Sequence, residues 1–458
     1  MDALLLARLQ FTLTIMFHYV FPPLSIGLGV IMVMIEGKYV WTGNPLYKQM
    51  ARFWSKVFAL TFSMGVATGI VMEFEFGTNW ATYSRYVGDV FGSALAAEGV
   101  FAFFLESGFL AILLFGWDRV GKKLHYFSTV MVCLGAHFSA VWIVVANSWM
   151  QTPAGFEISG DGLDARAVIT DFWAMVFNPS SMDRLIHTLL GAWLAGAFLV
   201  ISVSAYYLLK KRHEDFSRAS LNVGLILGFV ACILQAMSGD SSAEIVAKHQ
   251  PSKLAAMEGL YHNERNAPLY LFGVPDSEAE TVRYGVAIPS MLSLLVYGDA
   301  DAEVAGLSNY PKEDWPKVGL IFQTYRIMIV MWVVMMALTV LAFWKWWRGT
   351  LLQSRWLLKA LVWAVLCPQI ANQTGWITAE VGRYPWIVYN LLRISDGLSK
   401  SVAAEQILSS TIMFGTVYLM LFCLFLYLLD HKIKNGPVDT DKETTYAHLR
   451  ELAKELEQ

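Results

Sequence analysis

The sequence is poor in charged residues. Asp, Glu, Lys and Arg make up only 16% of the 458 residues, whereas a soluble domain carries roughly 25%. The formal net charge of −3 is too small to indicate a protein that binds nucleic acid. Hydrophobic residues, by contrast, reach 56%. These proportions exclude an ordinary soluble enzyme and indicate a polytopic membrane protein.

Cysteine is also scarce, and its spacing excludes several kinds of cofactor site. No C-x-x-C or C-x-x-C-H pattern occurs, so the sequence offers no zinc site, iron–sulfur site or covalent c-type haem. The four cysteines lie in apolar runs, where we expect packing roles: Cys133, Cys232, Cys367 and Cys423. The chain lacks an internal repeat, which disfavours a transporter built from inverted repeats. Its first apolar run is too long for a cleavable signal peptide.

Long apolar runs predict the fold class, an all-α polytopic membrane protein with nine transmembrane helices. Each run supplies the roughly 20 apolar residues that span a bilayer. The spans are predicted near 9–36, 57–77, 93–116, 126–149, 186–209, 220–237, 318–344, 360–380 and 406–429.

The distribution of Lys and Arg predicts the orientation, because cytoplasmic loops are enriched in both. The short loops on one side are poor in these residues, whereas the opposite set of loops is rich in them: Lys38, Lys48, Arg52, Lys56, Arg119, Lys122, Lys123, Lys210, Lys211, Arg212, Arg218, Lys345, Arg348, Arg355 and Lys359. We therefore expect the N-terminus outside and the C-terminus in the cytoplasm. Residues 1–237 would hold helices one to six, 238–317 a long extracytoplasmic loop, 318–430 helices seven to nine, and 431–458 a polar cytoplasmic tail.

Three histidines lie within the apolar spans: His18, His137 and His187. A single membrane histidine is often a structural group, but neutral imidazole is also a common metal and haem ligand. His18, His187 and Met328 are predicted in the outer parts of three different spans. A methionine is more often core filler. Here, however, a His and a Met at similar depth would suit a six-coordinate haem.

Carboxylates within the predicted spans form a second group of candidates. Glu98 and Glu106 are eight residues apart, which on a regular helix separates them by about 12 Å in height. This spacing suits two stations of a proton path, with Ser107 and Ser139 as hydroxyl relays. The alternative is hydrogen bonding between helices by protonated carboxyl groups. Glu73 and Glu75 precede this pair in span two.

The run Gly375–Trp386 places Glu380 and Arg383 beside a predicted span. Charge at membrane depth is costly, so it indicates function. Three residues apart, the two side chains share a helical face and could simply pair. Alternatively, Glu380 ligates an iron while Arg383 neutralises haem propionates. Arg326 and Met328 are two apart and should point in nearly opposite directions, so Arg326 would have to curl along the surface to reach the same haem.

The predicted extracytoplasmic loop contains the stretch Gln250–Glu258, which combines a cation, Lys253, with a carboxylate, Glu258. A quinol head group needs hydrogen-bonding partners and a proton acceptor, and this pair would supply both. Lys and Glu in a loop are more often simply solvated.

Taken together, these motifs resemble subunit I of the cytochrome bd quinol oxidases, over almost the whole chain. Seven stretches carry the resemblance, in the same order as in the family: Arg8–Phe11 with His18, Met72–Trp80, Glu98–Ser107, Ala146–Pro153, Gln250–Glu258, Tyr325–Met328 and Gly375–Trp386. Between Glu258 and Arg326 the chain lacks the long insertion of some members. It also carries Tyr384 where the familiar motif reads Gly-Arg-Gln-Pro-Trp.

The resemblance implies a set of cofactors and ligands. Three non-covalent haems are expected: haem b558, haem b595 and haem d. His187 and Met328 would ligate the low-spin haem b558, with Arg326 beside it. His18 and Glu380 would ligate the two high-spin haems, and the resemblance leaves open which of them takes haem d. Some relatives use only b-type haems and resist cyanide.

The resemblance also implies the reaction and the remaining roles. Quinol would be oxidised at the outer face of a bacterial inner membrane and O2 reduced to water, building a proton gradient without a pump. Lys253 and Glu258 would bind and deprotonate quinol, Trp376 would lie on the electron path, and Glu98 and Glu106 on the proton route. Subunit II would be the partner, with small single-span subunits possible. A proton-coupled transporter and a haem-containing membrane dehydrogenase subunit are the rival readings.

Overall fold

The computed structural model describes residues 2–100 and 104–438, and most of them are helical. The first helices are α1 Ala3–His18, α2 Phe21–Thr42, α3 Pro45–Thr78, α4 Ala81–Tyr86, α5 Gly88–Glu98, α6 Phe104–Phe115, α7 Lys122–Gln151, α8 Phe172–Val176 and α9 Ser181–Leu209. The remaining helices are α10 Glu214–His249, α11 Pro251–Glu258, α12 Met291–Tyr297, α13 Val318–Trp347, α14 Arg355–Trp363, α15 Leu366–Val381, α16 Ile394–Gly397 and α17 Ala404–Asn435.

Four small antiparallel strand pairs lie between the helices, which the all-α prediction did not include. The strands are β1 Phe156–Ser159, β2 Arg166–Ile169, β3 Glu264–Arg265, β4 Leu269–Asp276, β5 Thr281–Ile288, β6 Glu303–Val304, β7 Trp386–Val388 and β8 Leu392–Arg393. They pair as β1 with β2, β3 with β6, β4 with β5 and β7 with β8. All of them lie outside the predicted spans.

Within the described residues, seven helical stretches are long and apolar enough to cross a membrane. They correspond to seven of the nine predicted spans. The other two predicted spans, 93–116 and 360–380, each consist of shorter helices. The first is divided between α5 and α6, with residues 101–103 outside the described part. The second is divided between α14 and α15.

Proline residues explain two of the helix breaks. A proline lacks the backbone N–H and clashes with the carbonyl of residue i−4, so the helix tends to end before it. Pro22 and Pro23 follow the break between α1 and α2, which leaves His18 as the last residue of α1. Pro368 lies in the first turn of α15, four residues after Ala364 in the break. Hydropathy does not detect these breaks, because the sequence stays apolar across them.

Helix α9 is the central element of the bundle, packing against α2, α7, α10 and α14. Its contact with α2 is made by two glycines: a Cβ atom on Gly27 would lie 2.8 Å from the Cα of Gly196, and one on Gly196 would lie 2.6 Å from the Cα of Gly27. No side chain fits at either position. Small residues of this kind allow two membrane helices to approach closely.

The segment after α10 differs from a structureless loop. Helix α10 continues to His249, past the predicted end of its span at residue 237, and α11 follows directly from Pro251. The apolar face of α11 is buried with the first turns of α13 in a small core that includes Leu254, Ala255 and Ile321. Gly259 ends α11 at φ 71°, a left-handed conformation that a side chain would disfavour.

The last helix, α17, ends at Asn435, five residues into the predicted cytoplasmic tail, and most of its apolar surface is exposed. Residues 439–458, the greater part of that tail, lie outside the described residues.

Candidate functional site

The carboxylate of Glu380 is the centre of a polar cluster at one end of the bundle. One carboxylate oxygen accepts hydrogen bonds from the Asn147 amide at 3.1 Å and the Gln151 amide at 3.2 Å, both near the end of α7. Arg184, in the first turn of α9, lies 3.9 Å from the same oxygen. The other oxygen pairs with Arg383 at 2.6 Å. The i, i+3 pairing expected from the sequence is therefore present, within a larger cluster.

Arg383 has more hydrogen-bond donors than partners. Its side chain is only 4% exposed, and Nη2 is bonded to Glu380. Nε and Nη1 are buried without a hydrogen-bond partner among the described residues. Buried polar groups are normally hydrogen-bonded, and leaving a charged one unpaired is costly. The unpartnered N–H groups indicate room for an anionic ligand.

Two aromatic rings lie next to this cluster. The guanidinium of Arg184 lies 5.8 Å from the ring centroid of Trp376, within the range of a cation–π contact. Trp376 in turn packs edge-on against Tyr19, with ring centroids 5.4 Å apart. Tyr19 directly follows His18 in the chain. Trp376 therefore lies between the end of α1, which carries one predicted iron ligand, and the start of α9, which carries another.

Lys253 is buried and directed towards the Glu380 cluster. Its Nζ donates to Gln151 Oε1 at 2.5 Å and to Gln250 Oε1 at 2.7 Å. Burial lowers its pKa well below the usual lysine range, and the nearby guanidinium of Arg184 lowers it further. Both of its acceptors are neutral amide oxygens, so no carboxylate is hydrogen-bonded to the Lys253 amine at the edge of the cluster.

Glu258 and Arg326 form a second acid–base pair at this end of the bundle, and in this pair both side chains are buried. Its carboxylate, in a residue only 1% exposed, lies 2.7 Å from Arg326 Nη2. Burial raises the pKa of Glu258, and the charge of Arg326 opposes that rise. Arg326 also donates to the Tyr270 carbonyl from Nε at 3.1 Å and Nη2 at 2.9 Å, and from Nη1 to the Met257 carbonyl. Every nitrogen of this guanidinium is bonded.

The geometry of Arg326 bears on its expected role beside a haem. The side chain points to α11 and to strand β4, whereas Met328 lies against α15. A Cβ atom on Gly375 would lie 2.9 Å from the Met328 sulfur. The two side chains thus point to different neighbours, as their spacing of two residues predicts. Arg326 does not curl towards Met328.

His187 faces α10 across a short gap. Its Nδ1 lies 3.2 Å from the Ser238 hydroxyl, and the Gln235 amide lies 2.9 Å from Nε2. Gly239 leaves space beside the ring, since a Cβ there would lie 3.8 Å from its Cε1. Binding of iron at Nε2 requires the Gln235 amide to move, while the Ser238 contact is of the kind that orients a ligand imidazole.

His18 is held in a comparable way by α3. Its Nδ1 lies 2.9 Å from the Thr68 hydroxyl, and a Cβ on Gly69 would lie 3.3 Å from its Cε1. His137 differs: Nδ1 contacts the Cys133 carbonyl at 2.7 Å and the Trp193 indole donates to Nε2 at 3.0 Å. His137 therefore has the contacts of a structural histidine.

The carboxylates expected on a proton route are only partly connected. Ser139 donates to Glu98 at 2.5 Å, which joins one predicted relay to one predicted station. Glu106 is 5% exposed, and one of its oxygens has no partner among the described residues. Glu75 accepts from Thr14 at 2.6 Å in a buried contact between α1 and α3, whereas Glu73 is exposed.

The donor set fits haem better than a bare metal ion. In the described ranges, no three His, Cys, Asp or Glu side chains come together as an ion would require. The predicted ligands His18, His187, Met328 and Glu380 stand singly on different helices. Haem iron needs only one or two protein ligands, because the porphyrin supplies the others. The unpartnered N–H groups of Arg383 suit its propionates.

Sequence reasoning missed three residues of the cluster: Asn147, Gln151 and Arg184. Asn147 and Gln151 lie within Ala146–Pro153, one of the stretches that carry the family resemblance, so that stretch could have indicated them as site residues. Arg184 gave none, because an arginine at the start of an apolar span is usually an interfacial anchor.

Comparisons with known proteins agree with one another. A family model described as cytochrome bd terminal oxidase subunit I matches residues 6–437. The chain is 38% identical to cytochrome bd ubiquinol oxidase subunit 1 of Bacillus subtilis strain 168, covering 96% of this chain and 97% of that protein. It is 34% identical to cytochrome bd-II ubiquinol oxidase subunit 1 of Escherichia coli strain K12, covering 95% and 97%.

A solved structure shows the same fold. The structure of bd oxidase from Geobacillus thermodenitrificans matches with a TM-score of 0.87 at 28% identity, covering 95% of this chain and 99% of that one.

Proposed function

The chain belongs to the cytochrome bd terminal oxidase subunit I family, and from that premise we propose how its residues serve a quinol:oxygen oxidoreductase. The observation that carries the proposal is the cluster around Glu380. There the Glu380 carboxylate lies between Arg184 and Arg383, and Nε of each arginine and Nη1 of Arg383 have no hydrogen-bond partner among the described residues. Such a cluster suits a redox group that brings both an iron and carboxylates.

We propose that the chain holds three haems, which would supply reversible one-electron chemistry and a site for O2. His187 and Met328 hold the low-spin haem b558. His18 and Glu380 hold the two high-spin haems, b595 and d. In this arrangement Arg383 balances the charge of the propionates. Trp376, between Tyr19 and Arg184, lies between the ligand-bearing ends of α1 and α9.

Quinol oxidation is assigned to the α11 side of the cluster. A quinol releases two electrons and two protons, so its site needs a proton acceptor. Glu258 is that acceptor, because burial keeps its pKa above the usual carboxyl range and so closer to neutrality. Arg326 fixes the carboxylate in position. Lys253 donates a hydrogen bond to the quinol oxygen. To make this contact, the Lys253 Nζ would give up its hydrogen bond to Gln250 Oε1.

Oxygen reduction consumes protons, and Glu106 and Glu98 are the proposed stations that deliver them from the cytoplasmic side. Ser139 holds the Glu98 carboxyl through its hydroxyl. One Glu106 oxygen, which has no partner among the described residues, is available for exchange with water or a relay such as Ser107. Because protons would leave at the outer face and be taken up from the inside, the reaction would build a proton gradient without a pump.

The assembly is proposed as a membrane heterodimer with subunit II, to which small single-span subunits could attach. The chain is a multi-pass membrane protein, and we place it in a bacterial inner membrane. Nine spans with the N-terminus outside and the C-terminus inside remain our topology. In it the broken helices α5–α6 and α14–α15 provide the third and eighth spans.

The deciding experiment is a dithionite-reduced minus oxidised visible spectrum of the purified complex, with haem extraction. A chlorin band at long wavelength beside two b-type haems per chain is the expected result. Only b-type haem with intact oxygen uptake would identify the cyanide-insensitive kind of oxidase instead. A complex without haem would overturn the proposal.

A further inference from the structure

We propose that Arg184 is a positioning residue shared by two haem sites, where its guanidinium holds haem carboxylates at the junction between the low-spin and high-spin positions. The inference rests on the proposed function for the placement of the haems. It assigns a role to a residue outside the seven stretches that carried the family resemblance.

The position of Arg184 along the chain is the first argument. It lies on α9 one turn before His187, the predicted low-spin ligand, and residues three apart share a helical face. Its guanidinium reaches in the other direction, to 3.9 Å from Glu380, a predicted high-spin ligand. It also lies over the Trp376 ring. One side chain thus connects the helix of one iron ligand to the carboxylate of another.

The charges of the cluster are the second argument. Arg184 and Arg383 are permanently cationic, since arginine does not lose its proton in proteins. Glu380 is the carboxylate that both of them approach. Among these three groups one positive charge is left over, before Lys253 and the neighbouring carboxylate of Asp183 are considered. A buried charge without a counter-ion is strongly destabilising, so the cluster calls for an anionic ligand.

The hydrogen bonds of Arg184 are the third argument. Its closest polar contact is from Nη2 to the Asn147 side-chain oxygen, a neutral acceptor. The distance of 3.9 Å to Glu380 is too long for a hydrogen bond. Its Nε is buried without a partner among the described residues. With the two unpartnered nitrogens of Arg383, the cluster has three buried N–H-bearing atoms free to bind carboxylate oxygens.

A carboxylate-bearing cofactor fits this set better than a free inorganic anion. The unpartnered nitrogens are distributed over two arginines from different helices, α9 and the end of α15. Haem carries two carboxylates on flexible arms and can therefore engage both guanidinium groups. Removing the positive charge of Arg184 would make reduction of each nearby haem less favourable, because the charge stabilises the added electron.

The test compares Arg184→Gln and Arg184→Lys with a control, Arg218→Gln, in the purified complex. Arg218 is half-exposed in an i, i+4 pair with Glu214, at the opposite end of the bundle. The readouts are haem content per chain and the midpoint potential of each haem, measured by optical redox titration. A structural role alone would leave the potentials unchanged.

For Arg184→Gln we expect the low-spin haem and at least one high-spin haem to become harder to reduce. The reduced-to-oxidised ratio at fixed potential should fall roughly tenfold, about 59 mV for a one-electron couple. Arg184→Lys, which keeps the charge but loses the planar fork, should shift both haems in the same direction by less. The Arg218→Gln control should match the unaltered protein.

Potentials equal to the control, or a shift confined to one haem, would overturn the shared role. If Arg184→Gln does not accumulate, Arg184→Lys decides: a shift of both haems supports the inference, and no shift refutes it. Absence of haem from the unaltered protein would refute the proposed function itself, so the two failures are distinguishable.

Discussion

Two arginine–glutamate pairs with buried arginines lie at the same end of the bundle, and they differ in how fully the arginine is bonded. In the pair of Arg326 with Glu258, every guanidinium nitrogen has a partner. In the pair of Arg383 with Glu380, two of the three nitrogens have no partner in the part of the chain that the structure describes. The Arg326–Glu258 pair has all its guanidinium nitrogens hydrogen-bonded, and it holds α11 against α13. The second lacks partners that a ligand would supply.

The largest effect is expected from Arg326→Gln. It would leave the Glu258 carboxylate buried without its cation and free two backbone carbonyls, which should destabilise the protein by about 3–5 kcal/mol. Thermal unfolding of the purified complex in detergent would measure it. The control is Arg393→Gln, since Arg393 pairs with Asp314 in a partly exposed position, where the loss should be about 1 kcal/mol or less. Equal losses in the two variants would show that the Arg326 pair is not special.

Glu258→Gln should reduce quinol oxidation about 100-fold. It should also destabilise the protein, though less than Arg326→Gln, because the amide still accepts from Arg326 but leaves that buried charge without a counter-ion. The raised pKa of Glu258 gives the sign of the pH effect. At low pH the protonated carboxyl cannot accept a proton, so quinol oxidation rises with pH through that pKa.

In Glu258→Gln that rise should disappear. Oxygen reduction driven by an artificial electron donor should be retained, which separates the quinol step from the haems. Loss of both activities to the same extent would remove Glu258 from the quinol site.

Arg383→Gln tests the incomplete pair. Because one nitrogen of Arg383 is bonded within the described ranges, the variant should lose less stability than Arg326→Gln, about 1–2 kcal/mol. The main loss should be in haem binding. We expect the haem to bind roughly tenfold more weakly, which corresponds to about 1.4 kcal/mol of binding free energy. Haem extraction per chain, measured against Arg218→Gln, gives the value. Full haem content combined with a large drop in thermal midpoint would reverse the comparison.

The smallest effect on stability is expected at Gln250, which lies between the Arg326–Glu258 pair and the Glu380 cluster. Gln250→Leu removes one of the two amide oxygens that accept from Lys253, leaving Gln151 as the other. We expect a loss of about 1 kcal/mol, because two buried neutral-acceptor hydrogen bonds are lost, Lys253 to Gln250 and Gln250 to Gln151, while Lys253 stays partly satisfied. The thermal midpoint is again the measurement. A loss as large as that of Arg326→Gln would mean that Lys253 depends on Gln250 alone.

Local spacing predicted part of this site and could not predict the rest. The pairing of Glu380 with Arg383 follows from helical periodicity, and so do the different directions of Arg326 and Met328. The partner of Arg326 is Glu258, 68 residues earlier, and no periodic pattern connects positions that far apart. Arg184 was missed for the same reason: its partners come from α7 and α15.

For the fold, too, the sequence predicted some features and could not predict others. Hydropathy located seven spans as single long apolar stretches, because apolar length is what a bilayer selects. It did not locate the end of α10 at His249 or the break between α14 and α15. A helix that leaves the membrane keeps its backbone hydrogen bonds while its side chains become polar, and a proline break can occur without any change in hydrophobicity.

The contact between Gly27 and Gly196 has a consequence for electron tunnelling. The two backbones touch with no side chain between them, so no rotamer change can alter the spacing of α2 and α9. His18 precedes α2 by a short break, and His187 lies on α9. At this crossing, main chain rather than side-chain packing therefore fixes the distance between α9 and the helix that follows His18. Because tunnelling rates fall exponentially with distance, holding these two backbones together would remove one source of variation in the rate between the two predicted iron ligands.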